Sequence, residues 1–149
     1  MISGKRERRG NAVWVRNPIA SLVEQGNQKT TTRKKGALDR WRRLIAARAT
    51  LALPDGHILW AFPVVVQCVF VWPRKESHFK KSGGLKSTAP LIPGYDLDKY
   101  FRAVGDSLSK VVYEDDRQIT NKGGTRKRFG NTKGSAGVHV KIWKDYECG

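Results

Sequence analysis

The sequence is poor in cysteine, in acid and in long apolar runs, and each shortage excludes something. Its two cysteines, Cys68 in an apolar run and Cys148 one residue from the end, form neither a disulfide framework nor a CxxC pair. That fits a reducing, cytoplasmic setting. His57, His78 and His139 are scattered without zinc-ligand spacing, which argues against a structural zinc site. Residues 1–6 are followed by more charge instead of an apolar core, which argues against a secretory signal. The longest apolar run, residues 58–72, contains Pro63 and Gln67 and falls short of the roughly 20 residues that a membrane-spanning helix needs. A soluble protein with no membrane partner is expected, and no internal repeat is present.

Acid is the scarcest commodity. Thirteen Asp and Glu stand against 29 Lys and Arg, for a formal charge of +16 and a pI near 10.3. This is too lopsided for an ordinary metabolic enzyme, and it points to a polyanion, nucleic acid ahead of an anionic membrane surface. At 149 residues the chain suits one domain with a hydrophobic core of its own.

Residues 1–11, with Lys5, Arg6, Arg8 and Arg9, read as a mobile basic arm ahead of a domain over 12–149. Residues 12–16 read as a strand stopped by Pro18, and residues 25–36 as a polar loop carrying Lys34 and Lys35. From Ala37, Leu38, Trp41, Leu44, Ile45, Ala49 and Ala52 recur at helical spacing, with arginines between them, and Pro54, Asp55 and Gly56 end the helix. Residues 58–62 and 64–72 are rich in β-branched and aromatic side chains; the second segment is apolar on both faces and predicts a central strand covered by helices or a partner. A long basic loop follows, with Lys75, His78, Lys80 and Lys81. Leu97, Phe101, Val104 and Leu108 predict a second helix, and residues 118–120 a strand. Residues 122–137, with Arg126, Lys127 and Arg128, predict a Gly-rich basic loop or hairpin tip before a half-buried strand over 138–143. The fold class is α+β: one domain, a small mixed sheet and two main helices.

Against this basic background, six of the thirteen acids fall between residues 96 and 116: Asp96, Asp98, Asp106, Glu114, Asp115 and Asp116. Carboxylates placed where a polyanion would sit make sense if a divalent cation lies between them and the phosphate. Asp96 and Asp98 are two apart on a segment entering a helix, and Arg102 is four beyond Asp98 on the same helical face. Asp115 or Asp116 could complete the site. Hard cations such as Mg²⁺ prefer oxygen ligands and keep several waters, so a few aspartates and a substrate phosphate suffice. Arginine does not donate its proton near neutrality, so Arg102 would act electrostatically. The same residues also read structurally: Asp96 as an N-cap, Asp98 and Arg102 as an exposed pair, Asp115 and Asp116 as a turn.

The stretch from Asp96 to Arg102, then Asp106, Ser107 and Leu108, then Asp115, Asp116, Arg117, Gln118 and Ile119, resembles the RusA family of Holliday junction resolvases in order, spacing and helical context. That family's pattern is D-x-D-N-x-x-K-A, a D-A-L on the same helix, and D-D-x-Q-V about ten residues on. Trp41 and Arg42, the apolar strand and residues 74–79 resemble phage-encoded members, which would place the protein in the cytoplasm of a bacterial host. The resemblance implies a homodimeric endodeoxyribonuclease that uses Mg²⁺, with Mn²⁺ as a substitute, to cut four-way junctions or related branched DNA. It implies that Asp96, Asp98 and Asp116 bind metal, with Asp115 as a further candidate, and that Arg102 matches the essential lysine. Lys99 stands where asparagine is usual, and Arg102 where lysine is. Lys34, Lys35, Lys75, His78, Lys80, Lys81, Lys99, Arg126, Lys127 and Arg128 are the expected DNA contacts. The apolar strand over 64–72 and five tryptophans are an expected surface for the second copy. Two rival readings remain: a non-catalytic nucleic-acid-binding protein, ribosome-associated or packaging-related, and a nuclease acting mainly on flaps or replication forks.

Overall fold

The structure, a computed structural model, describes residues 11–16, 31–130 and 136–147, with residues 11–16, 31–35 and 37 described by their backbone alone. The expected arm over residues 1–11 lies outside the described residues apart from Asn11. The elements run β1 (Asn11–Arg16), α1 (Thr31–Ala52), β2 (Val64–Trp72), α2 (Leu97–Leu108), β3 (Ile119–Asn121), β4 (Arg126–Phe129) and β5 (Gly137–Lys144). This is a single α+β domain with a mixed sheet four strands wide. β1 pairs antiparallel with β5, and β5 antiparallel with β2; β3 and β4 then share the far edge of β2, both parallel to it.

Strand alternation sorts β2 onto two faces. Val64, Val66, Cys68, Phe70 and Trp72 join Val138, Val140 and Ile142 of β5 beneath the helices. α1 contributes Trp41, Ile45 and Ala49, and α2 contributes Phe101, Val104 and Leu108. Trp41, Phe70, Trp72, Tyr95 and Tyr100 form one aromatic cluster, in which Tyr95 stacks on Trp72 at 5.2 Å and 6°. A fully buried side chain of this size contributes about 1.5–3 kcal/mol, so this cluster fixes α2 on the sheet. The reverse face carries Val65, Gln67, Val69 and Val71, and it bears no described helix.

Five expectations are corrected. α1 begins at Thr31, so Lys34 and Lys35 belong to a helix and not to a loop. Leu44 and Ala52 are exposed, because the buried stripe follows positions 41, 45 and 49. Residues 58–62 form no strand, only an isolated bridge between Trp60 and Tyr113. Pro63 breaks the run, so backbone pairing stops at Trp60, whose amide and carbonyl bond to Val112 and Glu114, and the Gln118 side-chain amide donates to the carbonyls of Trp60 and Phe62. Arg126–Phe129, read as loop, is a strand whose partner is the upper half of β2. The apolar segment over 64–72 is covered by the chain's own core: every residue of β2 is buried except Gln67 and Val69, which are half-buried. That strand therefore offers no free apolar face for a second copy.

Candidate active site

Asp96 stands just before α2 with extended backbone, and its Oδ1 accepts from the Asp98 amide at 3.0 Å, which caps the helix. One turn in, Asp98 and Arg102 project from the exposed side of α2, while Phe101 and Val104 face the core. Opposite them, the segment after Tyr113 is locked by a capping box. Asp115 accepts from the Arg117 amide at 2.9 Å, and Gln118 Oε1 accepts from the Asp115 amide at 2.9 Å. Gln118 thus ties the Asp115–Asp116 turn to the 60–62 segment, a positioning role that the sequence motif alone does not disclose.

α2, this turn and β3 enclose a cavity of about 430 Å³ lined by Asp98, Phe101, Arg102, Gly105, Asp116, Thr120 and Lys122, among others. Lys122 bridges to Asp98 at 2.8 Å, with its ammonium 5.1 Å from the centre of the Phe101 ring. Lys122 and then Arg102 hold the Asp98 carboxyl below its ordinary value. Asp116 behaves oppositely. The Asp115 carboxyl, partial burial and the Asp106 carboxyl raise it, because negative charge beside a carboxylate disfavours ionisation. Asp106 faces Arg42 of α1 at 3.6 Å, so a line of polar groups runs from α1 through Asp106 to Asp116.

The structure therefore brings Asp98, Asp116 and Arg102 together, and adds Lys122 and Asp106, which were not among the expected site residues. Lys122 lies in the sequence as one cation of a basic loop, and nothing local marks it. Asp96 and Asp115 adjoin the cavity as caps without lining it. Among the described residues, no three His, Cys, Asp or Glu side chains converge as ligands of one ion. The donor set is a carboxylate pair on a cationic cavity, with a third carboxyl behind Asp116; it fits a hard cation that keeps waters and takes further ligands from phosphate.

The expected DNA contacts are dispersed. Lys75, Lys80, Lys81 and Lys99 are exposed. The partly buried His78 packs edge-on against Phe129 at 5.8 Å, and burial, followed by Arg74, Lys75 and Lys86, lowers its pKa. Lys127 donates to the Tyr95 carbonyl at 2.7 Å and so braces the approach to α2, whereas Arg126 and Arg128 are exposed. The side chains of Lys34 and Lys35 lie outside those described.

The fold is an α+β domain in which two carboxylates share one cavity with two cations. Comparison with family models makes this specific: the model for endodeoxyribonuclease RusA matches residues 15–143. The chain belongs to the RusA endodeoxyribonuclease family, a family of crossover-junction endonucleases whose substrate is branched DNA. No curated protein matches the sequence. Among the described residues, no helix is long and apolar enough to cross a membrane.

Proposed function

We propose that the protein is a Mg²⁺-dependent endonuclease that hydrolyses phosphodiester bonds in four-way junctions or related branched DNA, and that it acts as a homodimer. The observation that carries the reading is the cavity in which Asp98 and Asp116 share walls with Arg102 and Lys122. Mg²⁺, or Mn²⁺ in its place, would be held by Asp98 and Asp116, with Asp96 and Asp115 flanking them, and would supply Lewis-acid activation of water and neutralisation of charge on the phosphate. Arg102 sets its guanidinium on the cavity wall and stabilises the oxyanion character that grows at the phosphate. Lys122 has two roles: before DNA arrives it neutralises Asp98, and it can then swing to a phosphate oxygen. Gly105 leaves room on the cavity wall at the helix backbone. Lys75, Lys80, Lys81 and Lys99 supply phosphate contacts around it.

The dimer rests on the substrate's symmetry. Among the described residues one cavity brings these carboxylates together, and productive resolution of a junction needs two strands cut. Incubation of a labelled four-way junction with and without Mg²⁺ tests the activity. A panel with flaps and forks ranks the substrates, and light scattering of the protein with and without junction checks for a mass of two copies.

A further inference from the structure

We infer a second phosphate-backbone site on the reverse face of the sheet, where the chain grips a DNA duplex away from the carboxylate cavity. β4 alternates, so Lys127 turns toward Tyr95 on the helix side while Arg126 and Arg128 point the other way. There they meet His139 and Lys141 of β5 across Gln67 and Val69 of β2, around a hollow of about 340 Å³. Val69 is the register partner of both Arg126 and His139, and Gln67 that of Lys141, so these side chains stand on one surface. Arg126, Arg128, His139 and Lys141 are all exposed.

Three features suit this hollow to a nucleic-acid backbone. Among the described residues no acid lines it and no carboxylate pairs with Arg126, Arg128 or Lys141. Arg126 and Arg128 are two residues apart on a strand, a spacing of roughly 6.7 Å, and β5 lies roughly 10 Å across the sheet, with His139 level with Arg126 and Lys141 two residues further along, opposite Gln67. The cations therefore form an extended array rather than a point charge, and an array meets successive phosphates. Its floor is preformed. Gly123 takes φ +58 directly beneath Val65, Gln67 and Trp143, and the turn it makes brings Gly124 to the rim. Burial first, then the charges of Arg128 and Lys141, which line the same hollow, lower the pKa of His139. Residues 121 and 122 line the front cavity and residues 124 and 126 the rear hollow, so one turn joins the two sites. A branched DNA can thus be held by one arm while another lies at the carboxylates. The inference rests on the reading of the chain as a DNA-binding nuclease only for the choice of polyanion.

The test is anisotropy titration of a labelled four-way junction in EDTA across a salt series, comparing the parent with Arg126→Gln/Arg128→Gln/Lys141→Gln. Each lost phosphate contact lowers the slope of log K against log salt by about 0.9, so the triple variant should lose roughly 2–3. A control, Arg40→Gln/Arg43→Gln/Arg48→Gln, removes three exposed cations from α1 and should lose less than half as much. Circular dichroism verifies that both variants fold. A slope unchanged in the rear-face variant, or a loss matched by the control, overturns the inference. Because the titration needs no cleavage, a failure of the catalytic reading would not disturb it.

Discussion

Gly123→Ala should both destabilise the protein and disorganise the front cavity. Gly123 sits at φ +58, and a Cβ there would lie 2.9 Å from Val65 Cγ1 and 3.1 Å from both Gln67 Cβ and the Trp143 ring. The left-handed conformation costs an L-residue about 1–2 kcal/mol. Crowding against Val65, a buried residue of the central strand, adds about 1–3 kcal/mol, because neither the strand nor the indole can withdraw cheaply. A total of about 2–5 kcal/mol should lower the melting temperature by roughly 5–20 °C for a domain of this length. Gly56→Ala is the matched control: φ is +72, but nothing lies within 4 Å of the added atom, so it should lose only the conformational cost of about 1–2 kcal/mol. Urea titration of both variants should show lower midpoints at an unchanged m-value. Equal losses for the two substitutions would refute the packing argument. A displaced turn also carries Lys122 away from Asp98, so Gly123→Ala should cut activity even at temperatures where it remains folded.

Other consequences are testable singly. Tyr113 is fully buried and its hydroxyl donates to the Gly105 carbonyl at 2.8 Å, which the Ser109 hydroxyl also reaches at 3.3 Å, so Tyr113→Phe should cost about 1 kcal/mol by removing the shorter of the two bonds, measured by denaturant titration. Lys122→Met should return the Asp98 titration upward toward the ordinary carboxylate range in a carboxyl NMR experiment. The sign follows from linkage. A depressed folded pKa stabilises the protein above the unfolded value, and that contribution fades as pH falls through the folded one, so the variant should lose acid-side pH dependence of stability. Asp106→Asn should move the Asp116 titration down, since the Asp106 carboxyl is one of the causes that raise it.

Much of this architecture was legible because it is local. The Leu97, Phe101, Val104 and Leu108 stripe marks α2 by its period, and the doubly apolar run over 64–72 marks the middle of a sheet. β4 was not legible, because the Arg-Lys-Arg-Phe sequence has no strand pattern and becomes one only where the edge of β2 supplies its hydrogen bonds. The 58–62 segment fails for the converse reason: its composition favours a strand, but Pro63 interrupts the run, pairing stops at the Trp60–Tyr113 bridge, and the Phe62 carbonyl is met by the distant Gln118 side chain. In the cavity, the meeting of Asp98, Arg102 and Asp116 was legible from motif spacing. Lys122 and the Arg42–Asp106 contact were not, since they join residues 24 and 64 apart along the chain through tertiary packing.

The central claim is that the Asp98 and Asp116 cavity cuts branched DNA with the help of a divalent cation. The most direct measurement is single-turnover cleavage of a labelled four-way junction by the parent and by Asp98→Asn, each in Mg²⁺ and in EDTA, with junction affinity measured alongside. The account predicts cleavage by the parent in Mg²⁺ alone, a loss on the order of 100-fold or more in Asp98→Asn, and junction binding at least as tight in the variant, because a negative charge has been removed. Cleavage by the parent undiminished in EDTA, or equal rates for parent and variant in Mg²⁺, would contradict it.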